Sequence, residues 1–302
     1  MKETERIMSK GCFPADFLKE EIRCEYKVTQ DLKKIWMVGL DILFELDKVC
    51  KKHNLKYFLL WGSLLGAIRH KGFIPWDDDI DVGMLRSDYE KLFSLKEEFD
   101  APYFLASPKT ETGYYWSHTK LRNSNTTCIN KPFRYQPVNF GIDIDIFPID
   151  NLLIDENIDS YDARLRQLNI NNSNYMRQSN KNPTPQEMER MKGYNSDPDK
   201  DMAELEGLAT KYNNQKTEYL SCNVCTIDKW QNRTYKASDL QEFILWDFEG
   251  FKLPIPKNYD SILKTEFGDY MDFPPVEERG HCHDRNILNP DVSYKEILKT
   301  IL

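Results

Sequence analysis

Residues 58–92 read FLLWGSLLGAIRHKGFIPWDDDIDVGMLRSDYEKL, and the order of pieces within them decides the fold. KYFLL at 56–60 is a short aromatic and aliphatic run that ends on Gly62 and Ser63, the pattern of a buried strand entering a tight turn, with a helix expected after Ser63. A glycine there lets backbone approach a phosphate, and the amides of a helix start can bind its oxygens. Further on, DIDVGM at 79–84 alternates carboxylate and aliphatic residues with the two-residue period of a strand. Asp79 and Asp81 are therefore expected on one face, close enough to share a divalent cation, Mg2+ or Mn2+. Asp77 and Asp78 belong to the same run; if the strand starts that early, only Asp77 shares the parity of Asp79.

An isolated Asp-x-Asp pair describes many solvated turns, but here the alternation returns in GIDIDIF at 141–147. Asp143 or Asp145 supplies a third carboxylate there, as a metal ligand or as the base for an attacking hydroxyl. Between the Gly-Ser turn and the acidic strand, Arg69 and Lys71 are candidates to neutralise a diphosphate, and Lys120 and Arg122 in HTKLR have a similar claim.

Around these motifs, Leu32, Ile35, Trp36, Ile42, Leu43, Leu46 and Val49 recur with a helical period, predicting an amphipathic helix over 31–53. From 155 to about 216 the composition turns to Asn, Gln, Lys, Glu and Asp, with Pro183 and Pro185 interrupting it. The expected division is an N-terminal extension (1–30), a catalytic core (31–154), a polar helical insertion (155–241) and a C-terminal segment closing the cleft (242–302). The expected fold class is α/β, a small mixed sheet flanked by helices with a more helical C-terminal part.

The stretch quoted first, GIDIDIFPID at 141–150 and FKLPIPKNYDSILKTEFGDYMDFPP at 251–275 together resemble the signature of the LicD family, which includes fukutin-related proteins within the nucleotidyltransferase superfamily. That resemblance implies that Gly62 and Ser63 hold donor phosphate, that Asp79 and Asp81 ligate metal, and that Asp143 or Asp145 completes the set. It also implies CDP-choline or a similar nucleotide-linked donor, a cell-surface glycan or its lipid-linked precursor as acceptor, and phosphocholine as the group moved. His281, after the GDYM and PP segments, is a further candidate for contact with donor or acceptor. Two competing readings are a nucleotide-sugar glycosyltransferase, whose Asp-x-Asp motif also binds metal and diphosphate, and an inactive binding protein of the same fold.

Composition narrows the classes. A net charge of -8 disfavours nucleic acid as a partner, although a local basic patch can exist on an acidic protein. The apolar runs are far shorter than the roughly 20 residues of a membrane span, so membrane contact is expected to be peripheral at most, and the expected location is cytoplasmic or at the inner membrane face. Seven scattered cysteines do not form a secreted disulfide framework. Cys222 and Cys225 with His281, Cys282 and His283 lack the local spacing of a zinc site. No P-loop, dinucleotide fingerprint or nucleophile elbow is present.

Overall fold

The structure is a computed structural model that describes residues 1–226, 228–280 and 287–302. In chain order, α1 (Glu3–Ser9) leads into the hairpin β1 (Glu21–Arg23) and β2 (Tyr26–Val28), then α2 (Gln30–Lys52), β3 (Phe58–Leu59), α3 (Trp61–His70), β4 (Asp81–Leu85) and α4 (Arg86–Ser94). Next come β5 (Tyr103–Ala106), β6 (Thr119–Asn123), β7 (Thr127–Ile129), β8 (Ile142–Leu152), α5 (Ile158–Gln178), α6 (Pro185–Met191) and α7 (Pro198–Ala209). The remainder is β9 (Tyr219–Ser221), β10 (Thr234–Lys236), the hairpin β11 (Phe243–Phe248) and β12 (Phe251–Pro256), α8 (Tyr259–Phe267), β13 (Ile287–Asn289) and α9 (Tyr294–Ile301). The class is α/β, as the sequence pattern predicts.

The trunk of the main sheet is β8, whose 11 residues are long enough to pair with three strands. Residues 145–149 run parallel to β4, residues 142–146 antiparallel to β6, and residues 150–152 antiparallel to β9. On the far side of β4 lies β3, and β5 and β10 extend the sheet from β6 and β9. Two strands of this sheet, β9 and β10, come from the segment whose composition reads as helical and polar; α5, α6 and α7 supply its helices.

Burial explains α2. Trp36, Met37, Val38, Leu40, Ile42, Leu43 and Leu46 are fully buried, so the helix is covered on more than one side instead of showing one wet face. The sheet takes one side, and Phe44 meets Phe13 and Phe251 from the two ends of the chain on another. Even Asp41 is buried in this helix, where Lys10 Nζ (2.6 Å) and the Tyr103 hydroxyl (2.5 Å) donate to its carboxylate.

Three boundaries differ from the sequence expectation. β3 is only two residues long; α3 begins at Trp61, so Gly62 and Ser63 form its first turn instead of preceding it; and β4 begins at Asp81, which leaves Asp77, Asp78 and Asp79 in the loop before the strand. That loop is reached by a backbone reversal packed directly on α3, where a Cβ on Gly66 would sit 2.4 Å from the Gly72 carbonyl oxygen. Gly66→Ala is expected to cost about 1–3 kcal/mol by forcing these backbones apart, measured as a lower urea midpoint with an unchanged slope.

Candidate active site

α3 presents its N-terminus to the site. Of its first-turn amides Ser63 donates to the Leu60 carbonyl at 3.1 Å, and Leu60 at the cap offers no side chain to satisfy the others. Trp61 sits at φ 45°, a conformation costly for a non-glycine residue. It is held there by its ring against Phe147 (4.5 Å between centroids) and by Nε1 donating to the Tyr235 hydroxyl at 3.2 Å.

The acidic loop is fixed from beneath. Trp36 of α2 donates from Nε1 to the Asp77 carbonyl at 2.8 Å and stacks on Phe73 at 4.6 Å. Ser63 Oγ accepts the Asp81 amide at 2.9 Å, so this buried hydroxyl ties the start of β4 to the start of α3. A Cβ on Gly62 would come within 3.1 Å of Asp77 Oδ2, so the glycine makes room for a carboxylate at the helix start.

Asp77, Asp78 and Asp79 each bring a carboxylate oxygen within 4.8 Å of the other two. At an effective dielectric of ~20, charges that far apart repel by about 3 kcal/mol per pair. Hard oxygen donors in that number and at that spacing fit a divalent cation of the Mg2+ or Mn2+ class. Of the expected ligands, Asp79 lies inside this cluster with Asp77 and Asp78, while Asp81 heads the strand after it. Sequence parity could not find the trio, because parity holds only inside a strand and these three precede it.

Asp81 and Asp145 are register partners on β4 and β8, and Lys120 of β6 is the next residue across. The Lys120 ammonium bridges Asp143 (2.9 Å) and Asp145, and Arg122 approaches Asp143 at 3.4 Å. Burial pushes the Asp145 carboxyl up, but Lys120 and His118 outweigh it and hold the group well below its usual range. Burial likewise disfavours the Lys120 charge, yet the two aspartates raise its pKa. His118 is a residue the sequence reading missed: its Nε2 lies 3.5 Å from Asp145 Oδ1, and its ring packs on Phe147 at 4.4 Å. It stands one residue before β6, so strand period alone does not place it. Trp116, His118, Lys120, Arg122, Asp143 and Asp145 line one cavity of about 260 Å3.

Arg69 and Lys71 are not brought to this place. α3 is 10 residues long, about 15 Å at the usual rise per residue, and they lie at the end opposite Gly62. Arg69 donates to the carbonyls of Tyr270 (2.9 Å) and Asp272 (2.8 Å) and lies over Phe273, clamping the C-terminal segment to α3. Lys71 is an exposed left-handed cap at φ 56°. His281, Cys282 and His283 lie outside the described residues. Cys222 is a buried thiol pushed upward by burial and by Cys225, and among the described residues neither belongs to a metal-holding group.

One buried acid supports the start of α3 from behind. Glu266 of α8 accepts from the Tyr235 hydroxyl at 2.6 Å, the same hydroxyl that Trp61 contacts, and its Oε2 is buried without a partner. Burial pushes this carboxyl from 4.5 to about 8. The folded state then holds a proton that the unfolded chain releases, so stability declines as pH rises between about 4.5 and about 8. Melting temperatures across this window are expected to fall in the parent chain, with that part of the slope removed in Glu266→Gln.

Comparison with known proteins fits this geometry. Residues 54–176 match the family model described as LicD/FKTN/FKRP, nucleotidyltransferase domain. The lipopolysaccharide cholinephosphotransferase LicD of Haemophilus influenzae is 25% identical over 256 residues, covering 83% of this chain and 96% of that protein. The ribitol 5-phosphate transferase FKRP of Homo sapiens is 48% identical over 40 residues, 13% of this chain and 8% of that protein. An uncharacterized protein of Rickettsia prowazekii, RP689, is 31% identical over 90 residues, 30% of each chain. Residues 54–176 thus carry the nucleotidyltransferase domain of the LicD/FKTN/FKRP family, and the likeness to LicD extends over most of the chain.

Proposed function

We propose that this chain transfers a phospho-alcohol, phosphocholine in the first instance, from CDP-choline to a hydroxyl of a cell-surface glycan such as lipopolysaccharide or of its precursor. The observation that carries this reading is the acidic cluster of Asp77, Asp78 and Asp79 packed beside the first turn of α3, with Asp81 and Asp145 paired next to it. The likeness to a lipopolysaccharide cholinephosphotransferase over most of both chains supports the choice of group and acceptor.

A divalent cation, Mg2+ or Mn2+, would be held by Asp79 with its neighbours Asp77 and Asp81, with Asp145 alongside, and would neutralise charge on the donor phosphates. The start of α3, at Gly62 and Ser63, receives a donor phosphate oxygen. The acceptor hydroxyl hydrogen-bonds to Asp145 and attacks the choline-bearing phosphorus in line. The bond from that phosphorus to the CMP oxygen breaks, CMP leaves with the electron pair, and the hydroxyl proton passes to Asp145. Because Lys120 and His118 keep Asp145 ionised, it is a weak base, which suits a loose phosphoryl-transfer transition state in which the proton moves late. Lys120 holds Asp145 and Asp143 in place for this step.

The test is release of CMP from CDP-choline by purified protein with Mg2+ and a lipopolysaccharide-derived acceptor. Acceptor-dependent CMP is expected from the parent chain, with a loss of about 100-fold or more in Asp79→Asn and Asp145→Asn and no loss in Lys71→Gln. Release of a nucleoside diphosphate from a nucleotide sugar, with no CMP, would support the glycosyltransferase reading instead. Donor binding without turnover across a donor panel would support an inactive binding protein.

A further inference from the structure

Beside the cavity at Asp145 lies a second, larger cleft of about 520 Å3, in which Lys131, Arg134, Arg177 and Arg190 converge. The chain as a whole carries a charge of -8, so four cations facing one cleft are a local reversal of sign. Among the described residues none of the four has a carboxylate within ion-pair distance, unlike the Lys120 and Arg122 pairs next door. The acid that lines the cleft, Glu187, is committed to capping α6: its carboxylate accepts the Thr184 amide at 2.7 Å. Arg177 bears the cost most clearly. Its Nη1 donates to Ser173 Oγ, but its Nε is buried without a hydrogen-bond partner, and burial together with the repulsion of Arg190 outweighs the pull of Glu187 and lowers its pKa. A guanidinium so placed has an unmet need for an anion.

The two spaces adjoin. Asn130 lines both, and its buried Oδ1 has no partner. Phe133 links them as well, meeting Trp116 of the first cavity edge-to-face at 5.6 Å and lying under the Arg177 guanidinium at 5.2 Å. The first cavity combines aromatic rings with acids, buried donors and an acceptor, a lining suited to a sugar ring. We propose that these adjoining spaces form an extended acceptor groove, in which a sugar hydroxyl lies at Asp145 while a phosphate or carboxylate carried by the same glycan seats between Arg177, Arg190, Arg134 and Lys131. This rests on the glycan-acceptor reading above and adds to it a requirement that the acceptor be anionic next to the reacting sugar.

The experiment is binding, without donor, of a phosphate-bearing lipopolysaccharide core oligosaccharide and of the same oligosaccharide after chemical dephosphorylation, by calorimetry on the full chain. The phosphorylated form is expected to bind at least about tenfold more tightly, in line with loss of charge-assisted hydrogen bonds, and Arg177→Gln/Arg190→Gln should remove that preference. A second pair, Lys131→Gln/Arg134→Gln, lies outside α5 and α6 and decides the matter if the first does not fold. Equal binding of the two oligosaccharides, or an undiminished preference in a folded variant, overturns the proposal. So does the same loss for inorganic pyrophosphate with none for the oligosaccharide, which would assign the cleft to a free phosphate. A loss seen only with phosphatidylglycerol vesicles would assign it to a membrane surface and overturns the proposal too. Because binding is read without donor or turnover, failure of CMP release leaves this result intact. Where CMP is released, the variants should raise KM for the phosphorylated acceptor and leave kcat unchanged.

Discussion

Four aspartates within five consecutive residues, 77 to 81, are the constraint on which the rest of the fold depends. Like charges at these spacings push a chain apart, so the loop needs anchors that do not depend on its own side chains. The backbone supplies them. Trp36 holds the Asp77 carbonyl, Ser63 holds the Asp81 amide, and Asp145 donates its own amide to the Ile80 carbonyl at 2.9 Å. Each anchor comes from a different element, α2, α3 and β8, which is why α2 is buried so completely and why the two-residue β3 suffices to aim α3.

The site divides electrostatically into two halves. On β6 and β8 the carboxylates of Asp143 and Asp145 are answered by Lys120, Arg122 and His118, so that side is close to neutral and rigid. In the 77–79 loop three carboxylates crowd together, each with an oxygen within 4.8 Å of the other two. Lys120, Arg122 and His118 are thus spent on holding Asp143 and Asp145 in position.

Much of this was legible in the sequence, and the failures share a cause. The helix at 31–53, the acidic strand at 141–147 and the strand-turn-helix at 56–70 follow from the local pattern of apolar residues and turn signals. The ends were misplaced where tertiary contacts set them. Parity implied that Asp79 and Asp81 share a strand, yet the chain enters β4 only at Asp81, after the Ser63 contact. Arg69 and Lys71 stand near the motif in sequence, but ten helical residues carry them to the wrong end of α3. His118 was passed over because a lone histidine has no period of its own; only the pairing of β6 with β8 reveals which carboxylate it faces.

The segment after β8 illustrates a limit of composition. Residues 155–241 read as a polar helical insertion, yet Ser221 pairs with Asp150 at the end of the trunk strand, and Tyr235 reaches Trp61 at the start of α3. Arg86 of α4 locks the same Asp150 through two bonds of 2.7 Å and also reaches Glu206 of α7. A polar sequence can still be structural when its polar groups are spent on one another, because a satisfied buried network specifies geometry that an apolar contact would leave free to slide. That network fixes the far end of β8, and so the position of Asp145 near its beginning, from residues whose composition alone argues only for exposure.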